Sequence, residues 1–311
     1  MPAGKVIDDS ADDFAAGSVD AGAYVARTPT GEVILAPKVA AEFTGSTLPE
    51  GWTVTPWLDG GTATLDGGRL VLDGARVGCD ALLLSPRSIE ISAVFAARPD
   101  QHAGFGVNFV DVPWVMFSTK WGRRLYGRTH LLNLEDKRLS GDWFGAPHVF
   151  RIEWNVLDII FSADGERLAH FMVPVPGHMR GLAANQRLGG SPLEVEWMRI
   201  SPYPPVGQFT SRVFDAGACV GWTTATWEAD VPDGTSLDVQ LRTGATPAPD
   251  RTWSRWSPVP ASGEVRSPPS RYLQYRADLA TADASRTPVL RRMTVGHGPR
   301  SYESSSSSGA V

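Results

Sequence analysis

Short runs of alternating apolar and polar residues fill this chain, broken by Gly, Asp, Asn and Pro. The segment PHVFRIEWNVLDIIFSADGERLAHF, 147–171, shows the pattern most clearly. Phe150, Ile152 and Trp154 fall on one side of an extended chain and Arg151, Glu153 and Asn155 on the other, because side chains alternate with period two in a strand. Ile159 and Phe161 repeat the apolar side before Asp164-Gly165, a pair that tolerates the positive φ of a tight reversal. The spacing predicts a hairpin. Runs of the same kind are IEISAVFAA (89–97), HAGFGVNF (102–109), WVMFSTK (114–120), RRLYGRTH (123–130) and LEVEWMRISPY (193–203). They recur at intervals of roughly 10 to 12 residues, as in a sandwich of short strands. No run of helical period exceeds about ten residues. The expected class is all-β, with two jelly-roll-like β-sandwich domains in tandem.

The domains are expected at 41–203 and 208–298, because Pro202, Pro204 and Pro205 remove donors and stiffen the chain between them. Residues 1–40 read as a lead-in and hairpin, with Asp8, Asp9, Asp12, Asp13 and Asp20 on a solvated stretch and a reversal at Thr30-Gly31. In the second domain Leu237, Val239 and Leu241 alternate with Asp238, Gln240 and Arg242, which predicts one buried and one wet face. The Ser-rich end, 299–311, is expected to be a disordered tail.

Composition narrows the function classes. Thirty-two Gly and 24 Pro among 311 residues fit many turns. A net charge of -5 with scattered basic residues argues against nucleic acid as a partner. No stretch approaches the roughly 18 apolar residues of a membrane span, so membrane insertion is not expected. The polar start MPAGKVIDDSADDF carries no apolar signal core, so the chain as written reads as cytoplasmic, with truncation or non-classical export as the extracellular alternative. Cys79 and Cys219 stand in different halves and read as two buried free thiols, with one inter-domain disulfide as the alternative.

The 147–171 hairpin followed by LEVEWMRISPY resembles the closing strands of concanavalin-like β-sandwiches, the laminin-G-like and laminarinase-like jelly rolls, over roughly residues 43–203. The second domain resembles accessory sandwiches of bacterial multidomain and surface proteins, where a stretch like SRYLQYRADLATADASRTPVL stands near the end. In laminarinase-like glucanases that resemblance implies a Glu-x-Asp-x-x-Glu strand, whose acid and nucleophile lie about 5 Å apart. Here the corresponding strands offer a lone Glu90 and nothing more before Asp111. The motif is missing, which argues against glycoside hydrolysis.

Candidate binding residues gather around the next strands. In RLYGRTH, Arg124, Tyr126, Arg128 and His130 alternate onto one side, while His102 and Asn108 share a side with Gly104 and Gly106. Asp111, Trp114 and Trp121 lie between. On one concave sheet these groups would stack sugar faces on rings and hydrogen-bond hydroxyls. The leading expectation is therefore a non-catalytic carbohydrate-binding or adhesion protein whose ligand is a glycan or other small polar molecule. One alternative is an enzyme on a carbohydrate-module-like sandwich, a cyclase or lyase with Asp111, His130 or His102 as its acid. Another is an oligomeric structural module of a phage tail or surface assembly. Asp59, Asp66 and Asp73 are candidate ligands for a structural calcium, and no other cofactor is expected. Trp52, Trp57, Trp154 and Trp197 are expected in the core. Trp253 and Trp256 stand three apart, on opposite faces of a strand.

Overall fold

The computed structural model describes residues 3–28, 30–120, 123–131 and 133–299. The expected tail lies outside them except for Pro299. By contacts the chain forms two units, one of Pro37–Tyr203 and one combining Met1–Ala36 with Pro204–Val311.

The unit Pro37–Tyr203 is built from two antiparallel sheets. The first runs in the order Leu134–Arg138, Tyr126–His130, Trp114–Ser118, Gln101–Gly106, Arg180–Asn185, Ala75–Cys79 and Trp52–Pro56. The second runs Glu166–Phe171, Ile159–Ala163, His148–Trp154, Arg87–Val94, Leu193–Ile200, Arg69–Asp73 and Thr62–Asp66, with Val39–Glu42 also on Leu193–Ile200. Period-two alternation sends one side of the central strands into a shared interior, while the edge strand Leu134–Arg138 is exposed throughout. Ile89, Ile91, Phe105, Phe117, Phe150, Ile152, Trp154 and Phe161 are all fully buried there. Phe117 meets both Phe150 and Phe161 at ring-centroid distances of 5.0 Å. The Trp154 indole N–H donates to the Val175 carbonyl at 2.7 Å, so its one polar atom is satisfied inside the core. The predicted hairpin is present. Phe150 pairs with Ala163 and Trp154 with Ile159, and the turn has φ of 48° at Asp164 and 81° at Gly165.

Trp197 is buried, as expected, but lies outside the main core cluster. The register between Arg87–Val94 and Leu193–Ile200 shifts between Ser92 and Ala93, so Ser92 faces Trp197 and Ala93 faces Val195. A bulge of this kind re-aims side chains. Val195 and Met198 stay in the core cluster, but Trp197 leaves it and lies under the Arg199 guanidinium at 4.1 Å. Trp57 is only half-buried and also sits outside that cluster.

The N-terminal segment is not a solvated lead-in. Gly4–Asp8 pairs in full with Met293–His297, and Ala23–Ala26 and Glu32–Leu35 form a hairpin whose Val33 and Ile34 pair with Leu290 and Val289. These strands extend a sheet that holds Phe214–Asp230, Ser270–Thr281 and Val289–Gly298. Between them the helix Ala11–Ala15, capped by the Ser10 hydroxyl, buries Phe14 against Phe209. Asp8 is wholly buried, with the Tyr275 hydroxyl donating to it at 2.8 Å and Arg212 ion-paired at 2.9 Å. The acidic stretch therefore folds because its carboxylates have partners. Asp13 holds Arg212 as well, at 2.5 Å.

Both cysteines are free, and only Cys79 is buried; Cys219 is exposed, contrary to expectation. Among the described residues no helix is long and apolar enough to cross a membrane.

Candidate functional site on the outward face of the seven-stranded sheet

Because Ala103, Phe105, Val115 and Phe117 point into the core, their neighbours His102, Gly104, Gly106, Trp114, Met116 and Ser118 point out. Registers extend this face in both directions. His102 pairs with Ser118, which pairs with Tyr126; on the other side His102 pairs with Ala184, which pairs with Arg76. One row across the sheet thus reads Arg76, Ala184, His102, Ser118, Tyr126, each step about 4.8 Å. The parallel row reads Gly78, Leu182, Gly104, Met116, Arg128, Asp136.

Gly106 keeps the middle of the face low, since a Cβ there would stand 2.9 Å from the Phe109 ring. The loop after Gly106 folds back over this gap. Asn108 Oδ1 accepts from the backbone N–H groups of Val110 and Asp111, its amide donates to Asp111, and Phe109 takes a φ of 63°. Phe109 thereby joins Trp114, Met116, Leu182 and Ala184 in a small buried apolar cluster. Its ring meets the His102 imidazole edge-on at 6.1 Å.

His102 is 3% exposed, and its Nδ1 is buried without a hydrogen-bond partner. Burial, reinforced by the nearby positive charge of Arg128, lowers its pKa to about 4. The imidazole is neutral at ordinary pH. Arg128 itself is engaged, donating to Asp136 at 2.6 Å and lying over the Trp114 ring at 5.2 Å. Burial pushes the Asp136 carboxyl up, but hydrogen bonds from Lys120 and Arg128 outweigh this and hold it below its ordinary range. His130 packs edge-on against Trp114 at 5.1 Å.

The structure therefore brings together His102, Trp114, Tyr126, Arg128 and His130 on one face. It does not bring the rest. Arg124 precedes its strand and is exposed, whereas Asn108 and Asp111 belong to the covering loop; Trp121 lies outside the described residues. Asp73 accepts from the Gly189 backbone at 2.9 Å, and Asp59 and Asp66 are exposed. Among the described residues no three His, Cys, Asp or Glu side chains converge as an ion would require.

Four residues absent from the sequence expectation also belong to this face: Thr53, Thr55, Arg76 and Arg180. Arg76 alternates with the buried Ala75 and Val77, which marks it as outward, but the strands that carry Arg76 and Arg180 are about a hundred residues apart. Only the pairing joins them.

No protein-family model matches this sequence, and no curated protein does. Among solved structures, an endo-β-1,3-glucanase from Pyrococcus furiosus aligns over 57% of this chain and 97% of its own, at 14% identity and a TM-score of 0.41. A β-1,3-1,4-glucanase (lichenase) from a mouse hindgut metagenome aligns over 52% and 97%, at 14% identity and 0.40. A pseudo-β-1,3-glucanase of Mycobacterium tuberculosis aligns over 53% and 98%, at 16% identity and 0.39. The sandwich itself rests on the strand order above. The expectation of a non-catalytic glycan-binding surface is corrected, because the surface proposed for a ligand is occupied by its own contacts. Trp114 is buried, Arg128 is spent on Asp136, and Arg124 and Asn108 stand elsewhere.

Proposed function

We propose that the unit Pro37–Tyr203 is a carbohydrate-active enzyme of lyase type, cleaving a carbon–oxygen bond after proton abstraction on the outward face of its seven-stranded sheet. The observation that carries this reading is His102, a neutral imidazole on that face whose Nδ1 has no partner. With the ring proton on Nε2, this nitrogen keeps its lone pair and can serve as a general base. The central strands present His102, Gly104, Gly106, Trp114, Met116 and Ser118, with no carboxylate among them. A two-carboxylate hydrolysis has no groups to work with there.

In the elimination, His102 Nδ1 takes the proton from the carbon beside an activating group. The bond from the neighbouring carbon to the glycosidic oxygen breaks and a carbon–carbon double bond forms. The departing oxygen takes the phenolic proton of Tyr126, which is half-buried one strand beyond Ser118. Phe109 covers the base, so the loop 107–113 moves aside when substrate enters.

Incubation with a panel of polysaccharides, followed by the ultraviolet absorbance of the new double bond, tests the reading. The parent protein generates the signal on at least one of them, and His102→Gln lowers the rate by roughly 10²–10⁴. A parent protein silent on the whole panel, or a variant as fast as the parent, overturns it.

A further inference from the structure

On the same face as the proposed base lies a cavity of about 150 Å³ lined by Thr53, Thr55, Arg76, Asp80, Asn108 and Arg180. Several guanidinium groups of the chain are matched to carboxylates: Arg128 to Asp136, Arg151 to Glu90 and Glu153, Arg212 to Asp8 and Asp13. Neither Arg76 nor Arg180 has a carboxylate within ion-pairing distance among the described residues. Arg180 donates to the Cys79 carbonyl at a long 3.4 Å, and its buried Nε has no partner. Arg76 donates to the Asn108 carbonyl and lies over the Trp57 ring at 5.5 Å. The two cations raise each other's energy. Burial first, and the field of Arg180 second, lower the pKa of Arg76. The one acid in the lining, Asp80, accepts from the Thr53 hydroxyl at 3.0 Å and forms an ion pair with neither arginine.

We propose that this cavity binds an oxyanion carried by the sugar substrate, the carboxylate of a uronic acid, with Arg76 and Arg180 as its cationic pair and the threonine hydroxyls as further donors. Two guanidinium groups are the usual answer to a planar, doubly accepting group. The volume is below that of a pocket for a whole ligand, which suits one charged substituent with the ring left outside. Position adds a reason. Arg76 and His102 stand in one row with only Ala184 between them, roughly 10 Å apart. A carboxylate held there is neutralised, and the hydrogen on the carbon beside it becomes acidic enough for an imidazole to remove. Arg76 also holds the Asn108 carbonyl, so an anion arriving at Arg76 competes for the loop that carries Phe109 over the base.

This assignment rests on the lyase reading for its substrate, and its test is separable from catalysis. Titration calorimetry on the full chain compares a uronate oligosaccharide, a sulfated one and a neutral one of equal length, for the parent, Arg76→Gln, Arg180→Gln and His102→Gln. The uronate binds the parent at least tenfold more tightly than the neutral sugar, and more weakly as salt is added. Each arginine variant loses about tenfold or more on the uronate while binding the neutral sugar as before, and His102→Gln keeps the affinity while forming product roughly a hundredfold or more slowly. Tighter binding of the sulfated sugar than of the uronate overturns the carboxylate assignment in favour of a sulfate ester. Equal affinity for charged and neutral sugars, no binding at all, or unchanged affinity in both arginine variants removes the site. Charge-selective binding with no unsaturated product from the parent leaves the anion site standing and removes the elimination instead.

Discussion

His102 links the chemistry of the face to its stability. Its pKa falls from 6.5 to about 4 on folding, so between those values the unfolded chain binds a proton that the native protein does not. The stability it confers is therefore present above pH 6.5 and is lost as pH falls toward 4. Taken over about 2.5 pH units this is on the order of 3 kcal/mol. Urea denaturation at a series of pH values should show that slope for the parent and a flatter one for His102→Gln; equal slopes would contradict the burial of a neutral imidazole. The neighbouring glycines carry a second prediction. Gly106→Ala places a Cβ 2.9–3.1 Å from the Phe109 ring and the Trp114 Cβ. It should dislodge the loop 107–113, which Trp114 fluorescence and faster proteolysis after Val110 would report; an unchanged loop would mean Phe109 does not rest on this glycine. His102 was legible from sequence because it alternates with buried neighbours on a Gly-rich strand. Arg76 and Arg180 were not, since nothing in their own strands tells that the sheet will make them neighbours.

At the scale of elements, local chemistry was the readable part. Asp164-Gly165 between two alternating runs announced its hairpin because few other pairs accept positive φ twice. The bulge opposite Ser92 was hidden, because a register shift is a property of two strands together. The strand Gly4–Asp8 was hidden for the same reason. Its aspartates look solvated until Tyr275 and Arg212, more than two hundred residues later, are placed beside Asp8. Tyr275→Phe removes a buried hydrogen bond to a charged group and should cost about 1.5–3 kcal/mol in chemical denaturation; a cost near zero would show that the hydroxyl does not hold this strand. Asp8 also acts on pH dependence with a sign opposite to that of His102. Burial raises its pKa from 3.8 to about 6, so the native protein binds the extra proton, and stability declines as pH rises through that window.

For the whole molecule, the break at Pro204-Pro205 was visible as composition, whereas the return of the first 36 residues to the C-terminal unit was not. That closure needs contacts at the largest sequence separations in the chain, which no window of alternation can reveal. It makes fragments informative. A fragment of residues 37–203 keeps its whole core and should give the near-ultraviolet dichroism of packed aromatics. A fragment of residues 204–299 lacks Phe14, Val33, Ile34 and Leu35 and leaves Tyr275 and Arg212 without Asp8. It should fail to fold unless residues 1–36 are supplied; a well-packed 204–299 fragment would contradict the joined unit. The most direct test of the catalytic account is the mass of the fragments the protein releases from a uronate polysaccharide. Elimination by His102 predicts fragments lighter by one water than hydrolysis would leave, released roughly a hundredfold or more slowly by His102→Gln. Fragments that carry the full water, or none from any uronate polymer, would contradict it.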